Sequence, residues 1–137
     1  MSHENLKQRT KLFALAVIRL VKVLPDDKVG RTLGTQLLRS ATSVAANYRA
    51  ANRARSTADF IAKMGIVEEE SDESAFWLDL LTETGTTTPT QTKDLIQEAS
   101  EPTAIAIASI NTARTRPPPK AATRPSAPRS ALRAPRL

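Results

Sequence analysis

The sequence predicts an all-helical fold, and three observations carry that prediction. The stretch from Leu33 to Leu81 contains no proline and only two glycines, Gly34 and Gly65. Apolar residues there and in the first 24 positions recur every three or four residues, the period of a helix with one buried face. The same stretch is basic in its first half and acidic in its second, the pattern of two long amphipathic helices of opposite charge. Such helices pair, and their apolar flanks also suggest self-assembly. At 137 residues the chain suits one domain with a single helical core.

The first helix is expected from about Leu6 to Leu24, ended by Pro25, because the residue before a proline resists helical dihedrals. At about 100° per residue, Phe13, Val17, Leu20 and Leu24 form one stripe. Leu12, Ala16 and Val23 widen it, and Ala14, Ile18 and Val21 carry it further round. Only a strip with Lys11, Arg19 and Lys22 stays polar. A helix this apolar needs more than one packing partner, either as the centre of a monomeric bundle or against another subunit.

The second helix follows Pro25-Asp26-Asp27, with an aspartate as N-cap, and is expected to reach about Arg55. Leu33, Leu37, Val44 and Tyr48 share a face, while Gly34, Ala41, Ala45 and Ala46 permit close approach of a neighbour. At about 1.5 Å per residue such a helix is roughly 40 Å long, which suits a bundle. The third helix starts at Ser56, whose hydroxyl can cap the Asp59 amide. Phe60, Met64, Val67, Ser71, Ser74 and Leu78 mark its inward face. Its acids, Glu68 to Glu70, Asp72 and Glu73, repel one another in isolation and make sense opposite the cations of the second helix. Residues 82–88 form a loop around Gly85. In the fourth helix Thr88, Pro89 and Gln91 form a capping box with proline at the first position. Pro102 inside it is expected to kink or weaken it, at about 3 kcal/mol.

The net charge of +6 and the pI of about 10.2 report a tail rather than a basic domain. Residues 113–137 hold seven basic groups and no acid, so residues 1–112 carry thirteen basic and fourteen acidic groups. Residues 1–55 hold eleven Lys/Arg against three acids, and residues 56–112 hold two lysines against eleven acids. The segment 115–137, with Pro117-Pro118-Pro119 and further Pro and Arg, buries too little apolar surface to order and reads as a disordered basic tail. Residues 1–114 form the bundle domain. Cysteine is absent, which excludes disulfides and thiolate metal sites. The apolar run 12–18 is interrupted by Arg19 and lacks a cleavage site, so neither a signal peptide nor a membrane span is expected, and the location is cytoplasmic.

The segments Ser43-Val44-Ala45-Ala46-Asn47-Tyr48-Arg49-Ala50-Ala51 and Glu69-Glu70-Ser71-Asp72-Glu73-Ser74-Ala75-Phe76-Trp77-Leu78 closely resemble the 23S rRNA intervening-sequence proteins, also called four-helix bundle proteins. Leu37-Leu38-Arg39-Ser40, Arg53-Ala54-Arg55-Ser56 and Asp59-Phe60-Ile61-Ala62-Lys63 extend the resemblance, which spans about residues 10–114. It implies an antiparallel up-down four-helix bundle assembled as a ring-shaped homopentamer. It also implies kinship with the accessory variability determinant proteins of diversity-generating retroelements, which bind nucleic acid and a reverse transcriptase. Pro102 and the Pro/Arg tail depart from the family pattern.

Catalytic chemistry finds little support. A di-iron bundle needs Glu-x-x-His on two helices, and the single histidine, His3, also removes Ser-His-Asp schemes. Glu69 and Glu73, one turn apart, have a carboxylate pair's spacing for a hard cation, but ion pairing with arginines of the second helix, within or between subunits, is the favoured account of them. No phosphate-binding glycine loop is present. The expectation is therefore a non-enzymatic protein without cofactor or metal. Asn47 is expected to hydrogen-bond across helices, with Glu73 as partner, and to fix register. Trp77 and Phe76 are expected to pack rather than stack on bases. Arg39, Arg49, Arg53 and Arg55, with Lys7, Arg9 and Lys11, form the candidate nucleic-acid surface, for RNA in preference to DNA. The alternative is a structural oligomer that scaffolds a protein partner, its cations consumed by the acids of the third helix.

Overall fold

Four helices follow one another in the computed structural model, which describes residues 3–116: α1 (His3–Lys22), α2 (Lys28–Ala51), α3 (Thr57–Glu83) and α4 (Pro89–Thr115). No strand occurs among the described residues. Residues 23–27, 52–56 and 84–88 connect them, and links this short force successive helices antiparallel. α3 packs along both α2 and α4, α1 packs on α2, and α4 closes back on α1. The result is an up-down four-helix bundle.

Local chemistry sets most boundaries. Asp27 Oδ1 accepts from the Gly30 amide at 2.7 Å, and Ser56 Oγ accepts from the Asp59 amide at 3.0 Å. At α4, Thr88 Oγ1 accepts from the Gln91 amide while Gln91 Oε1 accepts from the Thr88 amide, completing the capping box. Each side chain satisfies a donor that a helix start leaves orphaned. Gly85 takes φ +71° in the loop before α4, a left-handed conformation that glycine adopts without Cβ strain.

The second helix departs from expectation by stopping at Ala51 rather than near Arg55. The amides of Arg53 and Ala54 bond to Ala50 O and Ala51 O, three residues back, so the chain tightens and turns before the Ser56 cap. Arg53 and Arg55 therefore sit in the α2–α3 turn, not on a helix face. α4 runs without a break from Pro89 to Thr115, with Pro102 buried inside it.

The core divides along the bundle axis. Leu6, Val44, Tyr48, Ala51, Met64, Val67, Ala106 and Ile110 pack at one end, where α1 and α3 begin and α2 and α4 finish. Phe13, Val17, Leu20, Leu37, Ala41, Leu78, Leu81 and Ala99 pack toward the other. Phe60 is only half-buried against the first cluster, on its margin rather than at its centre.

Hydroxyl pairs cross the apolar layers. Ser40 Oγ on α2 lies 2.9 Å from Ser74 Oγ on α3, and both residues are fully buried. Ser71 reaches Thr103 on α4 at 2.6 Å, and Thr82 reaches Thr92 at 2.6 Å. Small hydroxyls satisfied in pairs let helices approach closely and penalise a sliding register, which would strand them.

Candidate nucleic-acid interface

The bundle topology brings distant cations to one end. Lys7 near the start of α1, Arg49 in the last turn of α2, Arg53 and Arg55 in the following turn, and Arg114 and Arg116 at the end of α4 belong to the end that holds Tyr48, Met64 and Ile110. Arg49, Arg53, Arg55, Arg114 and Arg116 are exposed, and Lys7 is half-buried. None of the six has a carboxylate within 4 Å among the described residues. Arg114 and Arg116 also lead into the Pro/Arg segment, which adds Lys120, Arg124, Arg129, Arg133 and Arg136. That segment lies outside the described residues from 117 onward.

The seven cations expected to act together separate into two groups. Arg39 Nη1 lies 3.2 Å from Glu70 Oε1 and its Nη2 lies 2.9 Å from Glu73 Oε1, so it bridges two acids of α3. Arg9 holds Glu98 of α4 bidentately, through Nε to Oε2 at 3.1 Å and through Nη2 to Oε1. Hydrogen bonding to Glu98 raises the Arg9 pKa above its ordinary value, with the nearby carboxylates adding to it. These two guanidiniums bind α2 to α3 and α1 to α4, their charge met by carboxylates of the bundle itself. Lys11 is exposed on α1 beyond the cationic end.

The cross-helix bond expected between Asn47 and Glu73 does not form. Asn47 Nδ2 donates to Ser43 O at 3.0 Å and approaches Ser43 Oγ at 2.9 Å, one turn back on its own helix. Glu73 is taken by Arg39, a stronger charged donor than an amide. Register is held instead by the serine and threonine pairs. The Glu69–Glu73 cation reading meets the same obstacle, and no cluster of three potential metal ligands occurs among the described residues.

The aromatic pair splits as well. Trp77 packs against the core, half-buried, its indole nitrogen enclosed without a hydrogen-bond partner. Phe76 leans edge-on against it, ring centroids 5.1 Å apart, but stays 53% exposed. Trp77 is thus a packing residue, and Phe76 packs on it while leaving about half of its surface in water.

This arrangement, four long helices with an arginine-to-acid clasp between α2 and α3, accompanies a direct match in sequence. Residues 4–108 match the family described as 23S rRNA-intervening sequence protein. The chain belongs to that family. Among solved structures, it is similar to a protein of unknown function from the S23 ribosomal protein family of Bacteroides thetaiotaomicron VPI-5482, at 35% identity and a TM-score of 0.72. The likeness covers 77% of this chain and 98% of that one. No curated protein matches the chain. Within the described residues, no helix is long and apolar enough to cross a membrane.

Proposed function

We propose that the protein is a non-enzymatic, oligomeric four-helix-bundle adaptor that binds structured RNA through its cationic end. The observation that carries this reading is the set Lys7, Arg49, Arg53, Arg55, Arg114 and Arg116, gathered at one end without acidic partners. Cations left unpaired on a folded body are free to neutralise phosphate, and each contact releases condensed counterions. Repetition in a homopentamer multiplies the cationic surface. Kinship with the accessory variability determinant proteins, which the sequence motifs imply, agrees with a nucleic-acid partner. Arginine forks and lysine ammoniums with no built base pocket read backbone shape and charge, so the affinity is weakly dependent on sequence.

Filter binding of the full chain to a structured RNA tests this. Retention at 50 mM salt that falls steeply and linearly on a logarithmic salt axis is expected. No retention at that salt contradicts it.

A second reading, a structural oligomer that scaffolds a protein partner, draws on a different observation. Leu12, Val23, Val29 and Phe76 are between 48% and 68% exposed, large apolar side chains that a solitary bundle leaves in water. Pull-down of one defined protein after nuclease treatment, with no RNA retention, would favour that reading over the first.

A further inference from the structure

We infer that the outer side of α1 docks into the groove between α3 and α4 of a second copy of this chain, a contact between two different faces rather than a two-fold one. The inference rests on the oligomeric half of the proposed function and not on RNA binding.

Bundle geometry sets the two surfaces back to back. α1 packs on α2 and α4, and α3 packs on the same two, so α1 and α3 hold opposite corners and their outer sides point away from each other. Charge divides along that diagonal. From Asn5 to Lys22, α1 has no acid. Lys11 and Arg19 are exposed on it, with no carboxylate within 4 Å among the described residues. α3 carries eight acids against Lys63 alone. Arg39 meets Glu70 and Glu73, and Lys63 meets Asp59. Glu69 and Asp72 stay exposed, with no cation within 4 Å among the described residues.

Apolar side chains sit inside each charged field. On α1, Leu12 is 50% exposed, and Leu15 beside it is only half-buried. On α3, Gly65, Glu69, Asp72 and Phe76 follow one another at four, three and four residues, the spacing of a single stripe. The groove next to that stripe, of about 320 Å³, is lined by Ile61 and Gly65 from α3 and by Ile107 and Ile110 from α4. A Cβ at Gly65 would meet nothing within 4 Å, so packing inside the bundle does not account for that glycine, whereas a helix approaching from outside does. Leucines flanked by cations on one surface fit isoleucines flanked by carboxylates on the other, in shape and in charge.

Like charge decides the symmetry. A two-fold axis through either surface would set Lys11 and Arg19 against their own kind, or Glu69 and Asp72 against theirs. A heterologous contact brings opposite charges together at every junction and leaves one surface of each sort free, so addition continues until a ring closes.

Sedimentation velocity on full-length chains tests the contact, with helical circular dichroism to check folding. The parent is expected to sediment as a multimer at micromolar concentration. Lys11→Glu with Arg19→Glu reverses one surface, Glu69→Lys with Asp72→Lys reverses the other, and each double variant is expected at the mass of one chain. All four changes in one chain restore opposite charge across the junction and should return the parent's mass. A double variant that keeps the parent's mass overturns this inference alone, since the multimer then forms through another face. So does a fourfold variant that stays at one chain's mass. A parent at one chain's mass overturns both this inference and the oligomeric half of the proposed function.

Discussion

The two ends of the bundle are built from similar numbers of helical turns yet spend their charge differently. At the end with the α1–α2 turn, Arg31 pairs with Asp26 at 2.9 Å, and Lys22, Lys28 and Lys93 share the region with Asp27, Glu83 and Asp94. At the opposite end, Lys7, Arg49, Arg53, Arg55, Arg114 and Arg116 face solvent or half-face it, and Asp59 is already within 4.0 Å of Lys63. Between them, Arg39 and Arg9 are absorbed by α3 and α4 acids. Net charge summed over the body is close to zero, but its distribution is polar. The proposed function is therefore placed at an end of the rod, not on its average charge.

The largest effect that would break this picture lies in the shared core. Leu78 is fully buried in the core cluster away from the cationic end, and Leu78→Ala is expected to cost about 2–5 kcal/mol in urea unfolding. Phe60→Ala, on the margin at the cationic end, should cost less than Leu78→Ala in the same assay, because Phe60 is only partly buried. Pro102→Ala restores a backbone donor in α4 and should stabilise by about 1–2 kcal/mol, the helix gain less the packing lost. A neutral or destabilising result would mean that the proline's burial outweighs its missing hydrogen bond.

Smaller effects sharpen the contrast between spent and free cations. Arg39→Ala should cost at most about 1 kcal/mol, since the arginine side chain is 50% exposed and solvent screens its pairs. Arg53→Gln, with no partner to lose, should change stability by less than about 0.5 kcal/mol. If Arg53→Gln destabilises as much as Arg39→Ala, the cationic end is structural.

What the sequence made legible was what neighbouring residues decide. Ser56 and Thr88 announce their helices because a cap acts over three residues. Ser71 and Ser74 fall on the inward face by period alone, although hydropathy would have sent them outside. The end of α2 was not legible, since Asn52 to Arg55 include neither glycine nor proline, and the break comes from the three-residue-back bonds that precede the Ser56 cap. Asn47 was assigned the wrong partner because a helix offers a side-chain amide its own preceding turn, and only packing shows that Arg39 reaches Glu73 first. The cationic end was beyond any local reading. Residues 7, 53 and 114 come to one end only after the chain has reversed three times, and it is the Glu98 carboxylate, not distance along α1, that sets Arg9 apart from Lys7.

The central assignment, that charge at one end and not the other meets RNA, is tested most directly by a swap of matched neutralisations. Arg49→Gln, Arg53→Gln and Arg55→Gln together are compared with Lys22→Gln, Lys28→Gln and Lys93→Gln, each in the full chain, by RNA affinity across a salt series. The first set is expected to weaken binding and to flatten the salt dependence by about one unit of slope per lost contact, with the second close to the parent. Equal losses from both sets, or no loss from the first, would contradict the assignment.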